Sequence, residues 1–459
     1  MKNNIKIFFG VMILCLLLII FIFDFTEAAN KESNLEEFIL SYNENCSYKY
    51  SGAVLVARGD KVLLNKAFGY ANYENNILNN TNTIFPIASI TKSFTAIVIM
   101  HLQERDLLSV DDYINKYIEG NNWGDKVTIH HLLSHTSGLP KDGLFLGQKI
   151  VSLENNIEYI NKYSLRFNPG TKYSYSNSGY QILAAIIEKV SGESYNNYLK
   201  KYIFAPLKMS NSKGGTDSSY EKKQAIGYQI LTGEPYKLSI YNFSCITGSG
   251  NIYSNLQDLF NYDRSISNYN ILSKDSIDKI FFPHWGDWDN GYGYGWNIAK
   301  KYNNVRYSHS GNIGGGGYNS LMIRYPETDY VLIFLTNNAD LTALNVVSES
   351  MEAIIFDKEY VLLQKAKNVK VANSILKKYA GNYKIVENVI IKIDYRDGKL
   401  STVADDGKEY ELIPLNNTQF YYENREYIKC EFQIDEQKNE IILKITNATR
   451  KFQGVKIIK

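Results

Sequence analysis

Strand patterns stand at both ends of a mostly helical middle in this 459-residue sequence. Near the start, Gly52 to Arg58 and Lys61 to Gly69 read as a hairpin that turns at Gly59-Asp60. Strand patterns return at Tyr318 to Tyr325 and at Tyr330 to Asn337. We therefore predict one sheet that is closed by segments distant in sequence, with helices packed against it.

Helical patterns lie between those strands and on either side of them. From Ser89 the apolar residues Phe94, Ile97 and Val98 recur at three- and four-residue spacing, which predicts an amphipathic helix running to about Glu104. Similar patterns predict further helices at Lys31 to Tyr42, Ile129 to Leu133, Ser178 to Val190, Ser254 to Arg264 and Leu341 to Phe356.

The hydrophobic pattern of the sequence changes after about Lys370, where short runs of alternating apolar and polar residues replace helical periodicity. These runs are Val389 to Tyr395, Lys399 to Val403, Glu411 to Pro414, Gln419 to Glu423 and Ile441 to Thr446. The pattern predicts a separate all-β domain, either a sandwich or a small barrel. The expected division is 1–29 for an N-terminal signal or anchor, 30–365 for the main domain and 370–459 for the β domain.

The N-terminal segment predicts export. Lys2 and Lys6 precede an apolar run from Ile7 to Phe23, and a polar stretch follows that run. Its 17 residues lie at the lower limit for spanning a bilayer. Cleaved secretion and retention as a membrane anchor therefore both remain open, and both place the rest of the chain outside the cytoplasm.

Charge and cysteine content exclude several functions. The net charge of +2, from 50 basic and 48 acidic residues, gives no basic face for a nucleic-acid partner. Outside the N-terminal run, Cys46, Cys245 and Cys430 include no closely spaced pair, which argues against a disulfide framework and a zinc site. We expect neither a cofactor nor a bound metal.

Ser89-Ile90-Thr91-Lys92 places a hydroxyl at a helix start and an amine one turn along the same face. A serine becomes a good nucleophile when a base accepts its proton, and lysine can be that base only if its pKa falls well below about 10.4. Burial produces such a fall. Four other serines also have a lysine three residues on, namely Ser210, Ser219, Ser276 and Ser374. Ser89 differs because it opens a long apolar-periodic segment.

Tyr175-Ser176-Asn177 follows the loop Asn168-Pro169-Gly170 and immediately precedes a predicted helix. The side chains of Tyr175 and Asn177 can therefore project from a constrained turn into a cleft. A phenol beside a lysine ammonium is expected to have a depressed pKa, so that Tyr175 would act as general base and return the proton to the leaving group. Asn177 is expected to orient Lys92 and to bind a substrate amide.

A third group of polar residues, His309-Ser310-Gly311-Asn312, lies just before four glycines and a predicted strand. Glycine permits close approach of a substrate to the backbone, so we predict a strand edge here that binds an extended acyl chain. The backbone amides of Asn312 and Ser89 are expected to form an oxyanion hole. Loss of one such donor typically lowers the rate by about a hundred- to a thousand-fold.

In the order Ser89, Tyr175 and His309, these elements resemble the Ser-x-x-Lys, Tyr-x-Asn and Lys/His-x-Gly boxes of the serine β-lactamase-related family. The closest likeness is to the branch that holds class C β-lactamases, penicillin-binding proteins, D,D-carboxypeptidases and D-aminopeptidases. Two longer stretches, Phe85 to Ala96 and Leu132 to Pro140, also resemble conserved segments of this family. The second stretch is expected to support the fold rather than to take part in the reaction.

The resemblance spans roughly Asn34 to Phe356. It implies an α/β (α+β) sandwich, in which helices flank an antiparallel sheet, together with a helical subdomain. It also implies that a carbonyl substrate acylates Ser89, while Lys92 is unprotonated or shares a proton with Tyr175. The β-rich tail is similar to the barrel-like domains often appended to these hydrolases.

His309 stands where class C β-lactamases have lysine, and an imidazole holds a substrate carboxylate less strongly than an ammonium does. We therefore expect a peptidase or amidase acting on D-amino-acid peptides of the cell envelope, such as peptidoglycan. A β-lactamase and a carboxylesterase on the same scaffold remain alternatives, and so does a non-catalytic wall-binding or scaffold protein. The oligomeric state stays open.

Overall fold

The computed structural model describes residues 29–142, 151–215, 223–230, 235–239, 243–363, 369–386, 389–404, 407–438 and 440–457. The described residues form two compact units. Ser51–Leu344 make up one unit, and the other combines the described residues up to Tyr50 with those from Asn345 onward. The predicted signal or anchor lies almost wholly outside the described residues. None of the described helices has both the length and the apolar character needed to cross a membrane.

Ten α-helices lie in the described part of the chain. They are α1 (29–45), α2 (Thr91–Gln103), α3 (Ile129–Leu133), α4 (Leu153–Ile160), α5 (Asn177–Ser191), α6 (Tyr195–Tyr198), α7 (Leu256–Ser267), α8 (Lys274–Phe281), α9 (Thr342–Ile355) and α10 (Asn373–Tyr379). A π-helical turn covers Leu199–Phe204, and short 3₁₀ turns cover Ala88–Ile90, Ile114–Lys116, Phe243–Ile246 and Gly314–Gly316.

The strands of the larger unit are β1 (Gly52–Arg58), β2 (Lys61–Phe68), β3 (Tyr70–Asn72), β4 (Ile77–Leu78), β5 (Phe85–Pro86), β6 (Lys213–Gly214), β7 (Tyr228–Gln229), β8 (Tyr236–Lys237), β9 (Ile252–Ser254), β10 (Trp285–Gly286), β11 (Asn290–Tyr292), β12 (Asn297–Lys301), β13 (Asn304–Ile313), β14 (Tyr318–Tyr325) and β15 (Tyr330–Thr336). The other unit contains β16 (Gly381–Val386), β17 (Val389–Arg396), β18 (Lys399–Val403), β19 (Glu409–Pro414), β20 (Gln419–Tyr422), β21 (Arg425–Asp435), β22 (Glu440–Asn447) and β23 (Arg450–Lys456).

The main sheet has eight antiparallel strands in the order β10-β11-β12-β13-β14-β15-β1-β2. β1 pairs with β2 along the chain and with β15 from the far end of the unit, in a register that opposes Gly52 to Thr336. This confirms the predicted sheet closed by sequence-distant segments. Every residue of β15 is buried, which fits a strand covered on both faces.

The helical middle is built around α2 and α5. Eleven of the 13 residues of α2 are buried, among them Phe94, whose ring stacks on that of Tyr262 with centroids 3.9 Å apart. α2 and α5 belong to one continuous apolar cluster that also reaches Leu55 and Ile333 of the sheet. The start of each of these helices therefore has a fixed position, and the candidate site lies at those starts.

The second unit contains a closed eight-stranded barrel, β16 to β23, which β16 closes by pairing with β23. Its interior holds aromatic side chains, since Tyr379 stacks on Phe432 with ring centroids 4.2 Å apart and Phe420 packs edge-on against Phe432. The predicted all-β tail is thus a barrel rather than a sandwich. In the same unit, the buried Lys31 Nζ donates to the carbonyl of Ile355 at 2.9 Å. The expected domain boundaries stay predictions.

Candidate active site

Ser89 lies on a bent segment between a strand and a helix. β5 pairs with β9, and Ala88 then takes a left-handed backbone conformation with φ of +47°. This region costs a non-glycine residue roughly 1–2 kcal/mol. Ser89 lies in the 3₁₀ turn that follows and is half-buried, whereas its neighbours Ala88 and Ile90 are buried. The bend presents the hydroxyl of Ser89 to a cavity of 310 Å³.

Lys92 lies one turn beyond Ser89 and is fully buried. Its Nζ atom is 3.1 Å from Ser89 Oγ, 2.7 Å from Asn177 Oδ1 and 2.7 Å from the carbonyl oxygen of Ser249. Burial lowers the pKa of Lys92 well below its usual value, and the positive charge of Lys141 acts in the same direction. The negative charge of Asp142 opposes part of that shift.

Tyr175 lies beside this pair. Lys92 Nζ lies over its ring, 4.8 Å from the centroid. Burial raises the pKa of Tyr175 well above its usual value, and hydrogen bonding to Ser89 offsets part of the rise. The direction is opposite to the depressed pKa expected from the sequence. The cause is burial of the phenol, which disfavours its charged form. Tyr175 is therefore a protonated donor at neutral pH.

Asn177 is the first residue of α5, and Ser176 caps the helix by accepting a hydrogen bond from the backbone N–H of Gly179 at 3.1 Å. The cap fixes the direction in which Asn177 leaves the helix. Its Oδ1 accepts from Lys92, and its Nδ2 donates to Asp142 Oδ1 at 2.6 Å. Asn177 therefore contacts Lys92 directly, and its predicted role in orienting that amine stays a prediction.

His309 lies on β13 and is buried. Burial lowers its pKa to about 3, so the imidazole is neutral. Its Nδ1–H donates to the carbonyl of Ser310 at 2.8 Å, which leaves Nε2 to accept from the hydroxyl of Tyr292 at 3.2 Å. The hydrogen bonds thus fix the tautomer of His309.

The same hydrogen-bonded chain continues to His135. The backbone N–H of Ser176 donates to His135 Nδ1 at 3.0 Å, and His135 Nε2 donates to the Tyr292 hydroxyl at 3.1 Å. Burial holds the pKa of His135 well below its usual value. A chain of neutral hydrogen bonds therefore joins the turn that carries Tyr175 and Asn177 to His309 on the sheet.

Gly311 explains how close β13 approaches the nucleophile. A Cβ atom on Gly311 would lie 2.3 Å from the carbonyl oxygen of Ile87 and 2.9 Å from the Cβ of Ala88. No larger residue fits there without moving the turn that carries Ser89. Ser310 and Asn312, on either side, are exposed, and Asn312 lines the cavity together with Ser89 and Asn177. The predicted oxyanion hole stays a prediction, since the structure fixes the placement of Ser89 and Asn312 and not their role.

The comparisons with known proteins agree with this geometry. The family model named Beta-lactamase matches residues 42–347, about two thirds of the chain. The chain belongs to the β-lactamase family. Penicillin-binding protein 4* of Bacillus subtilis (strain 168) is 30% identical over 85% of this chain and 92% of its own length.

Solved structures agree with the family assignment. The octameric penicillin-binding protein homologue from Pyrococcus abyssi is 27% identical, with a TM-score of 0.62, over 92% of this chain and 99% of that protein. The D-amino acid amidase from Ochrobactrum anthropi SV3 is 22% identical, with a TM-score of 0.62, over 71% of this chain and 99% of that one, and it shows the shared fold. This member of the β-lactamase family thus has the β-lactamase/transpeptidase-like fold, and it is of the penicillin-binding-protein type of serine hydrolase.

Sequence reasoning did not identify four residues of the site, namely Ser249, Asp142, His135 and Tyr292. The sequence around two of them, His135 and Tyr292, does contain a feature that could have indicated them. His135 lies in the stretch from Leu132 to Pro140 that resembles a family landmark, and Tyr292 lies between glycines in Gly291-Tyr292-Gly293-Tyr294-Gly295. Glycine spacing of this kind indicates close packing of backbones, and a Cβ on Gly295 would lie 2.8 Å from the Lys92 carbonyl oxygen. Ser249 contributes only a carbonyl, so no side-chain motif could reveal it.

Proposed function

We propose that the protein is an exported serine hydrolase that forms an acyl-enzyme on Ser89 and cleaves D-amino-acid-containing peptides or amides of the cell envelope. The observation that carries the proposal is the set of partners around Lys92 Nζ. Two of the three partners, Asn177 Oδ1 and the Ser249 carbonyl, can only accept hydrogen bonds. In the proposed reactive state a neutral Lys92 gives its two N–H groups to them, and its lone pair then faces the Ser89 hydroxyl, whose oxygen is 3.1 Å from Nζ.

In the proposed reaction, Ser89 Oγ attacks the substrate carbonyl and its proton passes to the lone pair of Lys92. The negative charge that forms on the carbonyl oxygen is stabilised by the backbone amides of Ser89 and Asn312. The Tyr175 hydroxyl protonates the departing amine and recovers a proton from Lys92. The amine leaves, and water then hydrolyses the ester on Ser89 by the same steps in reverse roles.

Proteins of this family act on peptides or β-lactams. The neutral His309 favours a peptidase or amidase over a dedicated β-lactamase, because it supplies no positive charge for the carboxylate of a β-lactam. A class C-like β-lactamase and a carboxylesterase remain the rival activities on this scaffold. The apolar run from Ile7 to Phe23 supports an extracytoplasmic location, either secreted or anchored in the membrane.

A substrate panel on the soluble chain from about Asn30 separates these activities. Release of free D-alanine from a D-Ala-D-Ala peptide and hydrolysis of D-alanine amide are compared with hydrolysis of nitrocefin and of a p-nitrophenyl ester. The proposal expects the highest kcat/KM for the D-amino-acid substrates and loss of every activity in Ser89→Ala. Nitrocefin or the ester as the preferred substrate would contradict it, and turnover of none of the four would favour the non-catalytic binder.

A further inference from the structure

A second cavity, of 560 Å³, lies towards the other end of β13 from the Ser89 cavity. Asn312 lines the Ser89 cavity and Tyr307 lines the second one, and an extended strand covers about 17 Å between two such positions. Arg324, which β14 places opposite Tyr307, also lines the second cavity. Its volume is typical of small-molecule sites, and it is separate from the site of acylation.

Five aromatic side chains line this second cavity. Phe281 and Tyr307 are buried and stack on each other, with ring centroids 4.3 Å apart. Phe282 and Trp288 meet edge to face with centroids 6.1 Å apart, and they are 53% and 40% exposed. Tyr269 is 45% exposed. The cavity therefore has a closed aromatic floor and three rings that a ligand can reach.

Exposed aromatic rings are concentrated at this cavity. In the described part of the unit Ser51–Leu344, five aromatic side chains are strongly exposed, and three of these five line the cavity. The other two, Tyr113 and Tyr236, do not line it. Single exposed rings are ordinary on a protein surface, whereas a cluster of them marks a binding surface.

The charged side chains that line the cavity are already paired. The ion pairs are Asp329 with Arg264, Asp278 with Lys274, and Arg324 with Asp263. Three acidic groups thus balance three basic groups. Asp287 and Glu327, which are next in sequence to lining residues, are exposed and disfavour an anionic ligand. The cavity therefore favours a neutral ligand.

Hydrogen-bonding groups are available between the rings. Among the described residues, none forms a hydrogen bond with the indole N–H of Trp288 or with the hydroxyl groups of Tyr269 and Tyr307. Burial raises the pKa of Tyr307 to about 12, so its hydroxyl keeps its proton and can both donate and accept. Asn268, also on the lining, adds an exposed amide. A ligand with several hydroxyl or amide groups can use all of these.

We propose that this cavity binds a neutral oligosaccharide. A sugar ring presents C–H groups on its face and hydroxyl groups around its edge, which matches exposed aromatic rings interspersed with neutral hydrogen-bonding groups. The rings of Trp288, Phe282 and Tyr269 receive the C–H faces, and Asn268 and Tyr307 bind the hydroxyl groups. The inference goes beyond the proposed function, because the saccharide is bound here and is not cleaved.

Binding of three neutral tetrasaccharides to the full-length protein tests the inference. Chitotetraose, cellotetraose and maltotetraose serve as probes, and ligand-observed NMR measures binding. We expect at least one of the three to bind, with an affinity that changes little with salt because no charge is involved. Binding of none of the three would overturn the inference.

Two variants locate the bound saccharide. Trp288→Ala and Phe282→Ala are each expected to weaken binding by about ten-fold, while Tyr113→Ala, which removes an exposed ring elsewhere, should bind as the wild type does. Unchanged affinity in both cavity variants would contradict the proposed site. Oxidation of the wild type by N-bromosuccinimide needs no variant: the saccharide should protect Trp288, and protection of a different tryptophan instead would also overturn the inference.

A second copy of the chain is the competing occupant of this aromatic surface. Sedimentation velocity of the wild type and of Trp288→Ala is expected to give the same species, and dissociation of an oligomer in the variant would assign the surface to self-association and overturn the inference. The proposed function is followed separately through the penicillin adduct on Ser89. A protein that binds the saccharide and forms no adduct overturns that function alone.

Discussion

At the scale of single residues, the protonation of Lys92 decides what the site can do. Burial is the main cause of its lowered pKa, and the adjacent charges of Asp142 and Lys141 act in opposite directions. A base works only when deprotonated, so activity is present above the pKa of Lys92 and is lost as pH falls through it. A lysine in water would confine activity to pH values near or above about 10.4.

The pH dependence of acylation tests this assignment. We expect the second-order rate constant for acylation of Ser89 by penicillin to level off well below pH 10 and to fall on the acid side with one proton taken up. Stopped-flow or quenched mass measurements across pH give the profile. A rate constant that keeps rising tenfold per pH unit up to about pH 10 would show that Lys92 is not perturbed.

Tyr175→Phe is the matched control for that profile. Because the pKa of Tyr175 is raised, the phenol is protonated across the working range and its removal should lower the rate without removing the acid-side inflection. Disappearance of the inflection in Tyr175→Phe would instead identify Tyr175 as the base. Lys92 and Tyr175 were both predicted from the sequence. Their roles as base and acid depend on how deeply each side chain is buried, and a sequence motif does not show burial.

At the scale of elements, the site depends on how closely β13 approaches the turn that precedes α2. Gly311 makes that approach possible, since a Cβ there would overlap the Ile87 carbonyl oxygen and lie 2.3 Å from Ser320 Oγ. Ser320 Oγ donates to the same carbonyl at 2.8 Å, so the contact is both close and hydrogen-bonded. A shift of either element would move Ser89 relative to Asn312.

Gly311→Ala should therefore lower the rate of acylation more than it lowers the stability of the fold. We expect an acylation rate lower by about a hundred-fold, since a displacement of about 1 Å in a reacting group typically costs that much. Gly179→Ala is the control, because a Cβ in that helical position would meet its nearest neighbours at an ordinary 3.6 Å. Equal rates for both variants would show that the close approach of β13 does not position Ser89.

Prediction of the elements succeeded where periodicity was strong. α3, β14 and β18 have the predicted bounds, and α2 and α5 differ from prediction by only a few residues. The strands β10 to β12 were not predicted, and of β13 only the edge at His309 to Asn312 was, because the sequence from 285 to 313 is rich in Gly, Asn and Tyr and shows no alternation. β13 pairs with β14, and β12, β11 and β10 each pair with the strand before them in the sheet, so these strands take their structure from pairing rather than from local propensity.

At the scale of the whole molecule, the unit formed by Ser51–Leu344 brings together residues that are far apart in sequence. Ser89, Tyr175, Asn177 and His309 were predicted to meet because their order resembles that of a known family. The structure adds Ser249, whose carbonyl is 157 residues from Lys92 in sequence and 2.7 Å away in space. A backbone contact of this kind follows from the tertiary fold and leaves no pattern in the sequence.

The central claim is that Ser89, and no other serine, becomes acylated. Ser210 offers a matched control, because it also has a lysine three residues on and lies exposed in the same unit. Intact-mass measurement with peptide mapping after incubation with penicillin is expected to place one adduct on Ser89 in the wild type and in Ser210→Ala, and none in Ser89→Ala. An adduct that persists in Ser89→Ala, or maps to another residue in the wild type, would contradict the account.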